Sequence, residues 1–251
     1  MDSISLSRSI SKIDEKEAMS LTYASLKEAA DRKEDSITTE RLEKDNTILE
    51  TYTIISDPIS GGMGSVWQVH HEGWNMDLAM KRPRPKYFAE GGVERKKNFL
   101  RECENWIRLG LHPNIVSCYY VREISGVPSV FSEWMDGGSL KDRIRDESLY
   151  SGTSAEVQER ILDIAIQAAR GLLYSHSNKL LHQDMKPGNL LLTREWDAKI
   201  ADFGLASTQT LSGSGESTGY TLEYCPREQA DGEDPARWMD IYAWALTTLE
   251  M

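Results

Sequence analysis

Hydrophobic and polar positions alternate over short stretches in the first half of the chain. Apolar runs bounded by turn-forming residues occupy positions 52–55, 65–70 and 76–81. This spacing predicts a meander of antiparallel strands. A helical pattern follows at 96–109, and two more strand patterns lie at 115–121 and 127–131. The first half therefore predicts a small sheet that carries one helix.

After Gly137-Gly138 the apolar positions change to a helical period. One face of a long helix ending near Ser175 is marked by Val157, Ile161, Ile164, Ala168 and Leu172. A second, mainly helical lobe is therefore expected to follow the sheet.

The first 48 residues differ in composition from the rest, because they are rich in Ser, Asp, Glu and Lys and hold no glycine or proline. We expect residues 1–48 to form a polar extension outside a main domain at 49–251. Apolar residues recur at helical spacing at Met19, Tyr23, Leu26 and Ala30. They predict an amphipathic helix over 14–33, either within a partly helical or disordered tail or as a docking helix.

The charge and cysteine usage of the chain limit its class. Its 251 residues include 29 Lys and Arg against 40 Asp and Glu, a net charge of -11, so we expect no nucleic-acid partner. No run approaches the roughly 20 apolar residues of a membrane helix, and the N-terminus lacks an apolar signal core. A cytoplasmic location is expected. The odd number and wide spacing of Cys103, Cys118 and Cys225 predict reduced thiols rather than a disulfide or zinc site.

A glycine-rich turn and a strand-ending lysine suit phosphate binding. In the turn Gly61-Gly62-Met63-Gly64, glycines let backbone amides approach an anion, although such a turn alone is more often a structural hairpin. The next strand pattern ends in Lys81, whose ammonium needs a partner if it is buried. Glu102 on the following helix has the right charge, and Glu104 is its competitor.

Two motifs in the second half carry chemistry. Residues 182–189 read His-Gln-Asp-Met-Lys-Pro-Gly-Asn, and Asp202-Phe203-Gly204 follows thirteen residues after Asn189. They resemble the catalytic loop His-Arg-Asp-x-Lys-x-x-Asn and the metal-binding Asp-Phe-Gly of protein kinases, and Leu78-Ala79-Met80-Lys81 resembles that family's Val-Ala-Ile-Lys strand. With the glycine-rich turn, these features stand in the family's order over residues 52–251. The chain is identified as a member of the serine/threonine protein kinase catalytic-domain family, and it looks most like the bacterial members.

The resemblance implies a bilobal α+β fold. Its N-lobe, at 49–135, is a small antiparallel sheet with one helix, and its C-lobe, at 136–251, is mainly helical. The implied activity is ATP- and Mg²⁺-dependent transfer of the γ-phosphoryl group to serine or threonine hydroxyls of protein substrates. Asn189 and Asp202 would bind Mg²⁺, with Mn²⁺ as the alternative metal, because both offer hard oxygen ligands.

The resemblance also implies the catalytic set. Asp184 would orient the substrate hydroxyl and accept its proton, and Lys186 would contact the γ-phosphate. Lys81 would bind the α- and β-phosphates, held by Glu102. Thr221 stands where the family's serine/threonine members keep a threonine bonded to the catalytic aspartate, which, with Lys186, favours that specificity over tyrosine.

The nucleotide site follows in the same way. The implied ATP-binding positions, beside Lys81 and the two metal ligands, are Ile59, Gly61, Gly62, Gly64, Val66, Ala79, Ser132, Glu133, Met135 and Leu191. Val66, Ala79 and Leu191 would enclose the adenine between apolar surfaces. Backbone groups of Glu133 and Met135 would bond its edge.

Three positions depart from the family pattern. Ile59 replaces the leading glycine of the loop, which predicts a stiffer loop and weaker nucleotide binding. Ser132 at the gatekeeper position predicts a rear pocket open to bulky ATP analogues. Gln183 replaces an arginine and cannot pair with a phosphate, so we expect activity without phosphorylation of the segment after Gly204. The candidate phosphate acceptors there are Ser207, Thr208, Thr210, Ser217 and Thr218.

The C-terminal segment departs as well. The family's Ala-Pro-Glu reads Pro226-Arg227-Glu228 here. Residues 240–246 resemble the start of the central C-lobe helix, and the chain stops at Met251 before that helix would end. We expect a fragment of a longer protein, and the alternative is a chain that is poorly stable or depends on a partner. Without the family's further helices, Glu228 would lack its basic partner. The apolar face expected to be uncovered consists of Ile241, Trp244, Ala245 and Leu249.

Two other functions stay open. An inactive fragment or pseudokinase could act as a nucleotide- or protein-binding module. An evolved pseudoenzyme is disfavoured, because the residues that the resemblance assigns to phosphoryl transfer are all present. They are Lys81, Glu102, Asp184, Asn189 and Asp202. A small-molecule phosphotransferase could share the Asp-x-x-x-x-Asn loop, but residues 221–224 resemble a peptide-docking platform and favour protein substrates.

Overall fold

The computed structural model describes residues 42–61, 64–84, 87–88, 92–203 and 221–251. The chain divides into two compact units. The sheet unit comprises Met1–Leu100 and Cys118–Trp134, and the helical unit comprises Arg101–Ser117 and Met135–Met251. The helix predicted at 14–33 lies outside the described residues.

The sheet unit contains the predicted antiparallel meander. Its described strands are β1 (Thr47–Ile48), β2 (Tyr52–Ile54), β3 (Ile59–Ser60), β4 (Gly64–His71), β5 (Met76–Pro83), β6 (Cys118–Ile124) and β7 (Val127–Glu133). They pair antiparallel in the order β1-β2-β4-β5-β7-β6, and β3 pairs with β4. The strands predicted at 52–55, 65–70, 76–81 and 127–131 are therefore confirmed to within two residues at each end.

An aromatic stack forms the core of this sheet. The Tyr52 ring stacks on Phe131 at 4.5 Å between centroids, and Tyr120 stacks on Phe131 at 5.0 Å. Leu42 belongs to the same buried cluster, and β1 pairs with β2. The sheet thus includes residues that the composition assigned to the extension ending at residue 48. The composition did not reveal them, because so few residues do not alter an average over the whole segment.

The strand predicted at 115–121 is wrong at its start. The strand begins at Cys118, whereas Val116 donates its N–H to the Ile200 carbonyl at 2.9 Å and Ile200 donates back to Asn114 at 3.0 Å. Ile115 and Val116 therefore belong to the helical unit. The apolar pattern continues unchanged across the boundary between the two units, so periodicity does not show where the strand begins.

The helices lie mainly in the second half, as predicted. The described elements are α1 (Gly92–Arg108), α2 (Leu140–Arg145), α3 (Ser154–Ser177), β8 (Leu190–Leu192), β9 (Ala198–Ile200), α4 (Arg227–Ala230) and α5 (Arg237–Glu250). A capping box formed by Thr153 and Glu156 starts α3, which packs on β9 and α5.

No helix of the described residues is long and apolar enough to cross a membrane.

The apolar face expected to be uncovered on α5 is exposed only in part. Ile241 is 51% exposed and Leu249 81% exposed. Trp244 and Ala245 are half-buried, and the Trp244 indole donates to the Ala165 carbonyl of α3 at 3.0 Å. Packing against α3 therefore covers one edge of this face.

Candidate functional site

A buried carboxylate anchors the loop that contains the candidate catalytic residues. Asp240, in the first turn of α5, is 1% exposed. It accepts the backbone N–H of His182 at 2.9 Å and that of Gln183 at 2.7 Å, and its carboxylate lies 2.7 Å from His176 Nε2. The two backbone contacts hold the start of the loop against α5, and the third joins α5 to His176 of α3.

His182 connects this anchor to the residues before Asp202. Its Nε2 lies 2.8 Å from the Ala201 carbonyl, and its Nδ1 accepts the N–H of Asp184 at 3.2 Å. The ring also packs edge-on against Phe203, with centroids 4.8 Å apart. His182 therefore fixes both the backbone of Asp184 and the strand end that leads to Asp202.

The Asp184 carboxylate is the centre of a compact polar cluster. One oxygen accepts from the backbone N–H and the hydroxyl of Thr221, each at 3.0 Å. The other oxygen accepts from Lys186 Nζ at 2.6 Å and Asn189 Nδ2 at 2.9 Å. Asp184 is only 5% exposed, so these contacts lie largely out of water. The helical unit thus brings together four of the residues singled out in the sequence.

Asp184 fixes the orientation of the Asn189 amide. Its Nδ2 donates to the Asp184 backbone carbonyl at 2.8 Å as well as to the carboxylate, so the amide nitrogen is committed and the side-chain oxygen is left for another partner. Asp202 stands at φ 64°, directly after β9 and Ala201. One amide oxygen and one carboxylate fit Mg²⁺, which takes its other ligands from phosphates and water.

Strand register places the candidate nucleotide residues of the sheet unit. Val66 pairs with Lys81, and Ala79 pairs with Ser132. Paired residues share a face, and so do residues two apart on one strand, so these four side chains lie on the same face of the sheet. Glu133 pairs with Leu78 and lies on the other face, consistent with a role for its backbone alone.

The glycine-rich turn is described only in part. Gly62 and Met63 lie outside the described residues. Ile59 pairs with Val66 and is 63% exposed. Gly64 lies so close to β5 that a Cβ at this position would be 2.2 Å from the Arg82 carbonyl, which explains the need for glycine.

The two competing glutamates of α1 have different surroundings. Glu104 pairs with Arg108 one turn later at 2.6 Å. Glu102 is 5% exposed and lies on the buried side of the helix. Burial distinguishes Glu102 from Glu104, because a desolvated carboxylate requires a cationic or hydrogen-bonding partner.

Two further candidate nucleotide residues lie in the helical unit. Met135 is buried, and Leu191 in β8 forms a bridge with Ser139. The candidate phosphate acceptors Ser207, Thr208, Thr210, Ser217 and Thr218 lie outside the described residues.

Three positions that shape the loop were not predicted from the sequence. His176 and Asp240 form the buried anchor, and Gln229 donates from Nε2 to the Gln183 carbonyl at 2.8 Å. Asp240 did carry a signal, since a carboxylate within an apolar helix needs partners when it is buried. Nothing in the local pattern singled out Gln229 or His176.

Comparison with known proteins agrees with this arrangement. The family model described as protein kinase domain matches residues 59–251. The chain belongs to the protein kinase domain family. Its fold is the α+β kinase fold, with an antiparallel-sheet N-lobe and a helical C-lobe.

Kinases of several organisms are similar in sequence. A probable serine/threonine-protein kinase of Streptomyces coelicolor is 31% identical over 76% of this chain and 28% of its own length. Serine/threonine-protein kinase PrkC of Bacillus subtilis is 29% identical over 80% of this chain and 30% of its own. This kinase chain thus spans about a third of the length of these bacterial relatives.

Solved kinase domains are similar in structure. The crystal structure of the PknI kinase domain of Mycobacterium tuberculosis matches with a TM-score of 0.63 and 27% identity, covering 83% of this chain and 74% of that one. The similarity therefore extends over both lobes.

Proposed function

We propose that the chain is a serine/threonine protein kinase domain that transfers the γ-phosphoryl group of ATP to protein hydroxyls with the help of Mg²⁺. The observation that carries the proposal is the Asp184 carboxylate, which Thr221, Lys186 and Asn189 hold in one orientation. Phosphoryl transfer depends mainly on positioning and on neutralising charge, and this cluster supplies both. The serine/threonine kinases among its relatives support the same activity.

Asp184 would act as the group that receives the substrate hydroxyl. Thr221 and Asn189 each hold a different oxygen of its carboxylate, so the side chain cannot rotate freely. Lys186 lies at 2.6 Å from the second oxygen. When its ammonium turns to the γ-phosphate, that oxygen becomes available to the hydroxyl and accepts its proton.

Asn189 and Asp202 are the proposed metal ligands. Mg²⁺ would neutralise charge on the phosphate oxygens. Asn189 suits this role because its amide nitrogen is committed to Asp184, which fixes the direction of its oxygen.

We assign the nucleotide to the face of the sheet that carries Val66, Ala79, Lys81 and Ser132. Lys81 would bind the α- and β-phosphates, and the buried Glu102 would hold it. Ser132 is small, so ATP analogues with bulky N6 groups should be accepted. Failure of such analogues to compete with ATP, while unmodified nucleotides do compete, would argue against this assignment. The cytoplasmic location and independence from loop phosphorylation stay predictions.

The experiment combines the purified chain with Mg²⁺, γ-labelled ATP and a generic protein, beside an Asp202→Ala variant. We expect label on serine and threonine with the unchanged chain and none with Asp202→Ala. A parallel reaction offers sugars and aminoglycosides in place of protein. Label on those molecules alone would identify a small-molecule phosphotransferase, and ATP binding without any transfer would identify a binding module.

A further inference from the structure

Gln183 occupies a strained position next to the catalytic aspartate. Its φ is 65°, in the left-handed region that non-glycine residues seldom adopt. Such a conformation persists only where neighbouring contacts determine it. The contacts around Gln183 therefore bear on how Asp184 is held.

Both peptide groups that flank Gln183 are tied by hydrogen bonds. Its N–H donates to Asp240 at 2.7 Å, and its carbonyl accepts from Gln229 Nε2 at 2.8 Å. The carbonyl of Gln183 and the N–H of Asp184 belong to one planar peptide group, whose N–H donates to His182 at 3.2 Å. Gln229 thus holds one end of the plane that carries Asp184.

Gln229 lies in the same short segment as Thr221. Thr221 holds the Asp184 carboxylate at one end of the segment, and Gln229 in α4 holds the preceding backbone at the other. The segment therefore holds both the side chain of Asp184 and the peptide group that precedes this residue. Gln183 stands where the family pattern has an arginine that pairs with a loop phosphate. Its side chain makes no hydrogen bond to the described residues.

We infer that Gln229 is a positioning residue for Asp184, and that its amide sets the orientation of the Gln183–Asp184 peptide. The inference rests on the proposed kinase function. Removal of the donor leaves a half-buried carbonyl unpaired and lets the strained residue relax toward ordinary φ values. The aspartate then spends less time in the reactive orientation, while the nucleotide residues of the sheet unit are unchanged.

The test replaces Gln229 by methionine, which is similar in size and has no donor. We expect Gln229→Met to lower kcat about tenfold with KM for ATP within about twofold of the unchanged chain. Gln158→Met makes the same change at an exposed position of α3 and should leave both constants unchanged. Gln229→Lys restores a donor of similar reach and should recover most of the rate. A wild-type kcat in Gln229→Met, or no recovery in Gln229→Lys, would overturn the inference.

A second measurement does not depend on catalysis. The N–H of Asp184 should exchange with deuterium about tenfold faster in Gln229→Met than in Gln158→Met, because its peptide plane is released. Unchanged exchange would overturn the inference even if the chain transfers no phosphate. Faster exchange in a chain that labels no protein would support the positioning role and reject the proposed activity.

Discussion

The two units place their candidate site residues by different means. In the sheet unit, Val66 and Lys81 share a face because β4 and β5 pair antiparallel in that register. In the helical unit, Asp184 is oriented by hydrogen bonds from three other side chains. Backbone pairing tolerates most changes of side chain, whereas a hydrogen-bonded cluster depends on each member. The helical unit should therefore be more sensitive to single polar substitutions, and the sheet unit to changes that crowd its backbone.

The largest expected effect on stability is that of Asp240→Asn. The amide would turn an N–H₂ toward groups that are themselves donors, in a site only 1% exposed. We expect the free energy of unfolding to fall by about 3 kcal/mol, measured by urea denaturation. Asp77→Asn in the sheet unit is the control, since Asp77 is 40% exposed beside His70 and should lose less than about 1 kcal/mol. Equal losses would remove the contrast between the units.

A smaller effect is expected from Gly64→Ala in the sheet unit. The new Cβ would lie 2.2 Å from the Arg82 carbonyl, so β4 and β5 would have to separate. We expect a loss of about 2 kcal/mol in thermal or urea unfolding. Gly73→Ala is the matched control, because its nearest neighbour is a His71 side-chain atom at 3.4 Å. If both variants unfold alike, close strand contact does not limit this unit.

The third expected effect concerns pH. Burial lowers the pKa of His71 below its ordinary 6.5, and its Nδ1 accepts the N–H of Trp74 as a neutral ring. A lowered pKa in the folded state means that this stability is complete above pH 6.5 and declines as pH falls below it. The unfolding temperature should therefore drop between neutral and mildly acidic pH. His71→Gln should flatten that drop, and an identical pH profile in the variant would contradict the assignment.

The smallest effect is on the reactivity of Cys225. Burial and the nearby Asp184 charge raise the pKa of the Cys225 thiol. Iodoacetamide should therefore modify it more slowly at pH 8 than it modifies free cysteine, because the thiolate is the reactive form. Asp184→Asn removes one of the two causes and should speed the reaction modestly. A rate equal to that of free cysteine in the unchanged chain would show that the thiol is not shielded.

The sheet could be predicted from sequence because strand pairing follows local rules. Alternation and turn residues predicted β4 and β5, whereas the register that places Val66 and Lys81 on one face was found only in the structure. The run at 115–121 was assigned wholly to a strand because its apolar pattern is continuous, but its first residues bond to Ile200 within the helical unit. No local pattern carries such information.

The candidate catalytic cluster was predictable only through resemblance. Periodicity identified neither Asp184 nor Asn189. The order of the motifs along the chain identified both. The supports of that cluster were missed because they come from far along the chain: Gln183 bonds to Asp240 across 57 positions and to Gln229 across 46. Pairings of this kind depend on how segments pack, which the spacing of apolar residues does not specify.

The most direct test of the account compares initial rates of γ-phosphoryl transfer to protein by the unchanged chain, Asp184→Asn and Asp77→Asn. The two substitutions make the same chemical change, one in the catalytic cluster of the helical unit and one on the surface of the sheet unit. The account predicts a loss of about 10³-fold for Asp184→Asn, with ATP binding retained, and a rate within about twofold for Asp77→Asn. A wild-type rate in Asp184→Asn would contradict it.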